Sequence, residues 1–256
     1  MSSAASPPGK HAALPWYNHP ATRSDLEAVW RDTRARLGAL GIEPLPAHLD
    51  HDAQYQELWQ DARLILSQCC GLDLFVAHGA KLVAFAAPVV SAYDVPAGAY
   101  RSYIVTRSSS SLSRPRVAVN NQFSHSGHTA IRIWLANRRL DNYSTLESGS
   151  HANSLAALRA GDADLAASDA LSWTMLDTSG LTILDTSDPM PAPPFVMGTD
   201  SHVPAEALTA ALNDAFKQYG QRIGIRGVVP VTRSDYQGIA NAAAEHGILA
   251  TAGADQ

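Results

Sequence analysis

The stretch that decides the fold runs from residue 116 to residue 135, RVAVNNQFSHSGHTAIRIWL. It opens on Val117-Ala118-Val119, an apolar piece with β-branched content that predicts a short buried strand. Asn120 to Phe123 is polar and turn-forming. Beyond it Gly127, Ala130, Ile131, Trp134 and Leu135 recur at helical spacing, so one helix face is apolar and the other is not. Strand, turn and helix follow in immediate succession, and Ser124-His125-Ser126-Gly127 forms the helix entrance.

A helix entrance has its own chemistry. The first backbone N–H groups have no partner within the helix, and the aligned peptide dipoles place about half a positive charge there. Ser124 and Ser126 add hydroxyls, and Gly127 lacks the Cβ that would hold a ligand away from the backbone. A small oxyanion suits such a place. A Ser-x-Ser-Gly turn equally suits a plain N-cap made by Ser124 or Ser126, so the rest of the chain has to separate the two.

At 256 residues the chain has room for one large domain or two small ones. A net charge of -5, with 19 Lys and Arg and no basic run, argues against nucleic acid as the main partner. Backbone dipoles still allow a small anion. The two cysteines, Cys69 and Cys70, are adjacent, a spacing that rarely reaches disulfide geometry. No apolar run is long enough to cross a membrane as a helix. The N-terminal MSSAASPPGKHAALPWY lacks the apolar core of a signal peptide, so no secretion signal is read there.

Working outward, residues 1–11 are expected to form a disordered tail and Ala12 to Tyr17 a first strand. Ser24 and Glu27 make a capping-box pattern ahead of Leu26, Val29, Trp30, Thr33, Leu37 and Leu40 on one helical face, with Gly41 suited to its C-terminal stop. Ile42 to Leu49 reads as a strand broken by prolines, Gln54 to Gln60 as a short helix, and Leu64 to Ser67 as a strand delivering Gln68, Cys69 and Cys70. Strands are expected at 82–90 and 100–106, on either side of a crossing loop at 91–99. Past the opening stretch come a strand near Tyr143–Glu147, a helix His151–Ala160 stopped by Gly161, a strand at 163–167, a helix begun by Asp169 and a strand at 181–184. A proline-rich segment at 188–194 is the second crossing. Phe195 to Gly198 is strand-like, Ser201 and Pro204 open a helix closed by Gly220, and a shorter helix spans about Ser234 to Ala244. No internal repeat is present.

This alternation predicts an α/β architecture. The two crossings imply two lobes, one built from 12–95 and 190–256 and the other from 96–189. A ligand site is expected in a cleft between them, outside the carboxyl ends of the strands.

Three stretches then resemble one family: Tyr100-Arg101-Ser102-Tyr103-Ile104-Val105, Val119 through Gly127, and Gly149-Ser150-His151 through Gly161-Asp162-Ala163 to Asp169. In order and spacing, from about Leu14 to Leu184, they are similar to the phosphate/phosphite/phosphonate-binding proteins of ABC importers. The resemblance implies a two-lobed type II periplasmic-binding fold and a non-enzymatic protein that closes around a small phosphorus oxyanion. It implies ligand contacts from Ser124, His125 and Ser126, from His151 and Asp169, and, in the first lobe, from Tyr17, Gln68 and Cys69. Ser102 and Tyr93 beside the first crossing are counted with them, a plain surface position for Tyr93 standing equally open. Many members carry an aromatic residue where this chain has the Gln68-Cys69-Cys70 turn. The implied partners are the oxyanion and an ABC permease, with no cofactor, no metal and a monomeric state. The implied location is the periplasm; without a signal peptide a cytoplasmic location stands beside it.

Asp169 beside an anion is repulsive unless a proton lies between them. Phosphorus oxyanions that keep a P–OH can supply that proton and sulfate at neutral pH cannot, so the carboxylate predicts selection by protonation. Two other functions fit some of the residues. Ser126, His151 and Asp169 have the residue types of a hydrolytic triad, but the turn lacks the first glycine of a nucleophile elbow. A cytosolic sensor would use the same cleft to signal to a protein partner. His48-x-x-His51 and His125-x-x-His128 have metal-like spacing but no recognised partner pattern. Trp30, Trp134 and Trp173 lie on apolar helix faces and are expected in the core.

Overall fold

A computed structural model describes residues 11–107 and 112–249. The expected tail therefore lies outside the described residues except for His11, whose carbonyl accepts from Ile65 N at 3.1 Å. In chain order the elements are α1 (Arg23–Ala39), α2 (Tyr55–Leu58), β1 (Ser67–Gln68), β2 (Leu82–Val90), β3 (Ala99–Tyr100), β4 (Ser102–Arg107), β5 (Arg116–Val119), α3 (Ala130–Asn137), β6 (Ser144–Glu147), α4 (His151–Ala160), β7 (Leu165–Asp169), α5 (Ala170–Met175), β8 (Leu181–Thr186), β9 (Met190–Pro191), β10 (Phe195–Gly198), α6 (Ala205–Tyr219), β11 (Ile225–Pro230) and α7 (Gln237–Glu245). They form two compact units. Unit 1 takes the described parts of 1–69, 73–92 and 193–234; unit 2 takes those of 70–72, 93–192 and 235–256. No described helix is long and apolar enough to cross a membrane.

Unit 1 is built on a four-stranded antiparallel sheet in the order β1-β10-β2-β11. Helix α1 buries the face expected of it, Leu26, Val29, Trp30, Thr33 and Leu37, and α6 buries Leu208, Ala211, Leu212, Ala215 and Phe216. Three local expectations change here. The stretch expected as a first strand bridges the sheet only through Ala12 and then turns over Pro15–Tyr17, where the fixed φ of proline suits a turn's first position. Ile42–Leu49 forms no strand, since Pro44 and Pro46 remove two ladder donors. The capping box does not form: the helix starts at Arg23 after Thr22, whose hydroxyl donates to Tyr17 O at 2.7 Å, while Glu27 accepts from Leu49 N at 3.0 Å.

Unit 2 holds a five-stranded sheet in the order β6-β5-β7-β4-β8. β5 pairs in parallel with both β6 and β7, and β4 runs antiparallel between β7 and β8. The period of two explains the layers. Val117, Val119, Ile104, Leu165 and Ala167 pack with Ala130, Ile131, Trp134 and Leu135 of α3, whereas Ala118, Val105 and Ala166 pack with Leu155 and Leu158 of α4. A sheet covered on both faces reads as apolar runs, which is how these strands read in the sequence. Trp134 is buried; Trp173 is half-buried and packs against the α4 layer.

The last segment corrects the expected domain division. The described residues 235–249, assigned from sequence to the first lobe, pack with unit 2. Tyr236 donates its hydroxyl to Ala192 O at 2.7 Å, Arg132 donates to His246 O at 3.2 Å, and the rings and side chains of Tyr236 and Ile239 close against Gly71.

Candidate functional site

In unit 2 the three parallel strands deliver three turns to one end of the sheet, because parallel neighbours present their carboxyl ends on the same side. The serine turn follows β5, Ser148-Gly149-Ser150-His151 follows β6, and Asp169 ends β7. The first two are tied together at Asn120. Its carbonyl accepts from Gly149 N at 2.6 Å, its Oδ1 accepts from Ser154 Oγ at 3.1 Å, and Ser148 N reaches Val119 O at 2.8 Å.

The helix entrance is wider than an ordinary α-helical turn. His128 N and Thr129 N both donate to Ser124 O, and Ala130 N donates to His125 O, a bond spanning five residues. Wide turns of this kind are frequent at functional sites. Gly127 serves a purpose other than the one expected: a Cβ there would lie 2.5 Å from Asn120 Cγ, so the glycine makes room for that side chain rather than for a guest. Ser124 is the N-cap, its Oγ accepting from Gly127 N at 3.0 Å. His125 N donates to Cys70 Sγ at 3.4 Å. Between those two amides, the Ser126 N–H has no partner among the described residues.

Ser126, His151 and Asp169 meet. Ser126 Oγ lies 2.9 Å from His151 Nε2, and Asp169 Oδ2 lies 3.3 Å from the same nitrogen. The other ring nitrogen, Nδ1, faces Ala167 O at 3.2 Å; a carbonyl only accepts, so Nδ1 carries the hydrogen. Burial pushes the His151 pKa below its ordinary value against the opposing pull of Asp169, so the neutral ring has its lone pair on Nε2 and accepts the Ser126 hydrogen. Asp169 also caps α5, with Oδ1 accepting from Ser172 N at 2.8 Å. This is not a hydrolytic relay. In a triad the carboxylate orients the nitrogen away from the serine; here serine and carboxylate meet one nitrogen.

Two more residues complete the site. Tyr100 lies beside Ser126, and burial first, then Cys70 and Asp169, pushes its phenol well above its usual range, keeping it a neutral donor. Sequence reasoning quoted Tyr100 in the family stretch but did not place it in the site. Its alternation with Ser102 along one strand face was the available signal. Ser102 is directly opposite Asp169 in the β4–β7 ladder, so both side chains share a face. Its hydroxyl is fully buried and has no hydrogen-bond partner among the described residues, a costly state unless a guest satisfies it.

The remaining expected residues fall as follows. The His125 side chain turns into the protein, 2% exposed, with Nε2 against Met190 Sδ and a pKa lowered by burial to about 4. Tyr93 is half-buried and near the Tyr100 hydroxyl. In unit 1, Gln68 Nε2 donates to Tyr17 Oη at 3.1 Å and to Pro193 O at 2.9 Å, while Gln68 Oε1 is buried with no partner among the described residues. Cys69 is fully buried, and its amide donates to Pro194 O. It is Cys70, not Cys69, whose sulfur meets the serine turn. His48 and His51 both face Glu27, at 3.3 and 2.8 Å, and among the described residues no group of His, Cys, Asp and Glu is arranged to hold a metal.

Comparison with known proteins gives the family and the fold. Residues 52–236 match the family model described as ABC transporter, phosphonate, periplasmic substrate-binding protein. No curated protein sequence matches the chain. Among solved structures it is similar to PhnD1 from Prochlorococcus marinus in complex with methylphosphonate, at 14% identity and a TM-score of 0.69 over 95% of this chain and 100% of that one. The alkanesulfonate-binding protein SsuA from Xanthomonas axonopodis pv. citri, bound to MOPS, aligns at 18% identity and a TM-score of 0.67 over 96% of each chain. A binding protein component of an ABC phosphonate transporter from Pseudomonas aeruginosa aligns at 14% identity and a TM-score of 0.66, over 97% and 91%. At such identities the likeness carries the fold, the type II periplasmic-binding fold expected from the sequence.

Proposed function

The chain belongs to the periplasmic substrate-binding proteins of ABC phosphonate transporters, and from that premise we propose that it captures a phosphonate, or a phosphate or phosphite of the same shape, through the polar cluster of unit 2. Solute binding for a permease is the family's role, and no chemistry is done on the solute. The observation that carries the ligand class is the convergence of Ser126 N–H and hydroxyl, His151, Tyr100, Ser102 and Asp169 at the carboxyl ends of three parallel strands.

The donor set supports a tetrahedral oxyanion. The helix entrance contributes an amide and a dipole, Tyr100 and Ser102 contribute hydroxyls, and none of the five side chains is cationic in its neutral-pH form. Affinity then comes from the number of hydrogen bonds. A micromolar site needs about 8 kcal/mol, and charge-assisted bonds contribute about 1.5–3 kcal/mol each before ordering costs. Asp169 supports phosphorus over sulfur, because a P–OH can donate to its carboxylate and a sulfonate or sulfate cannot. The protein is proposed to act as a monomer.

Calorimetric titration with methylphosphonate, phosphite, phosphate and sulfate tests this. Micromolar binding of at least one phosphorus anion and none of sulfate is expected, with Ser126→Ala weakening it. No heat with any phosphorus anion at millimolar concentration would reject the ligand class.

A further inference from the structure

The polar cluster has fewer hydrogens than acceptors. With Nδ1 of His151 committed to Ala167 O, the neutral ring presents a lone pair at Nε2. Ser126 has one hydrogen and spends it on that lone pair at 2.9 Å, with the neutral Tyr100 phenol beside it. Asp169 Oδ2 stands 3.3 Å from Nε2, so in this state two acceptors face each other, and Ser126 has no hydrogen left for a guest.

One added proton resolves both conflicts. Placed on Nε2, it gives the ring a donor for Asp169, frees the Ser126 hydrogen to turn toward a guest, and cancels the one formal charge in the cluster before an anion arrives. We propose that His151 and Asp169 form a proton-holding pair, so that an oxyanion enters together with one proton taken from solution onto His151 Nε2. The inference rests on the phosphonate-binding reading above and adds the second species that the site binds.

The surroundings are consistent with a pair that loads only with its guest. Asp169, at the end of β7, is the charge acting on the ring. Tyr100 on β3 and Ser126 on the serine turn are uncharged, and Cys70 and Tyr93 face the Tyr100 hydroxyl rather than the imidazole. Both pair members are largely buried, at 13% side-chain exposure each, and burial keeps the ring neutral when the site is empty. A bound anion reverses that preference. Linkage is reciprocal, so the proton must favour the anion as much as the anion favours the proton. Affinity then falls by up to about tenfold per pH unit between the depressed titration point of the free ring and the elevated one of the complex. Below that window the ring is already charged and the slope vanishes.

The test is titration calorimetry of methylphosphonate into the full chain at pH 7.5, in buffers of different ionisation heat, together with 15N shifts of the His151 ring. Close to one proton should be taken up per anion bound, both ring nitrogens should move to imidazolium positions, and His151→Gln should abolish the uptake while retaining weaker binding. Binding with no net proton, or with a neutral ring, overturns this inference and leaves the binding function standing. The same uptake in His151→Gln assigns the proton to the guest and also overturns it. If no phosphorus anion binds at all, both the function and this inference fall.

Discussion

Ser126 joins a hydroxyl that donates to His151 and an amide without a partner among the described residues, with the Tyr100 phenol beside it. Ser102 is its complement, a buried hydroxyl that nothing in the described structure satisfies. Leaving such a group unpaired costs about 1–3 kcal/mol, and this gives Ser102→Ala an unusual signature. The variant should be as stable as the parent or more so by about 1 kcal/mol in urea denaturation, while binding methylphosphonate about tenfold more weakly. Loss of stability without loss of affinity would show that the hydroxyl has a structural partner instead. Gly127 makes the opposite case. Its missing Cβ is filled by Asn120 at 2.5 Å, so Gly127→Ala should cost about 1–3 kcal/mol of stability and separate the serine turn from the Gly149 loop, lowering both the denaturation midpoint and the affinity. Residue type and family spacing pointed to Ser126 and His151, and the two do meet; their contact with a ligand is the proposal. The cap made by Ser124 was one of the two readings the turn offered; the buried contact of His125 with Met190 was not legible, because the width of a helix entrance leaves no mark on composition.

At the scale of elements, Asp169 serves two masters: Oδ1 caps α5 and Oδ2 faces His151. Two substitutions separate them. Asp169→Asn keeps a good capping residue and should leave stability within about 0.5 kcal/mol while removing discrimination against sulfate; Asp169→Ala should lose about 1 kcal/mol as well. Calorimetry and urea titration of the two variants check this pair of outcomes. The wide turn carries its own pH dependence through His125. Its folded pKa of about 4 lies below the ordinary 6.5 of the unfolded chain, so the unfolded state binds more protons in that interval and stability falls as pH drops through it. Denaturation free energy should decline by on the order of 3 kcal/mol from pH 7 to pH 4 on this account, with His151 acting in the same sense, and His125→Gln should flatten the curve. A profile unchanged by that substitution would contradict the assignment.

Across the whole molecule, what local periodicity can express was legible: the amphipathic faces of α1 and α6, the apolar runs of the β4–β5–β7 sheet, and the chain crossings near 92 and 192 where the two units exchange chain. What depends on partners far along the chain was not. β11 went unread because Gly227, at a φ of 152°, and Pro230 interrupt its pattern, and pairing with β2 alone defines it. The tail from residue 235 went to the wrong unit because its anchors, Ala192 O and Gly71, lie far away in sequence. The candidate site is assembled the same way, from three turns far apart in the sequence that the sheet brings to one end. A crystal structure of the full chain with methylphosphonate measures that assembly most directly. The account predicts phosphonate oxygens about 3 Å from the Ser126 amide and hydroxyl and beside His151; a phosphonate bound elsewhere, with Ser126 still hydrogen-bonded to His151 as in the free protein, would contradict it.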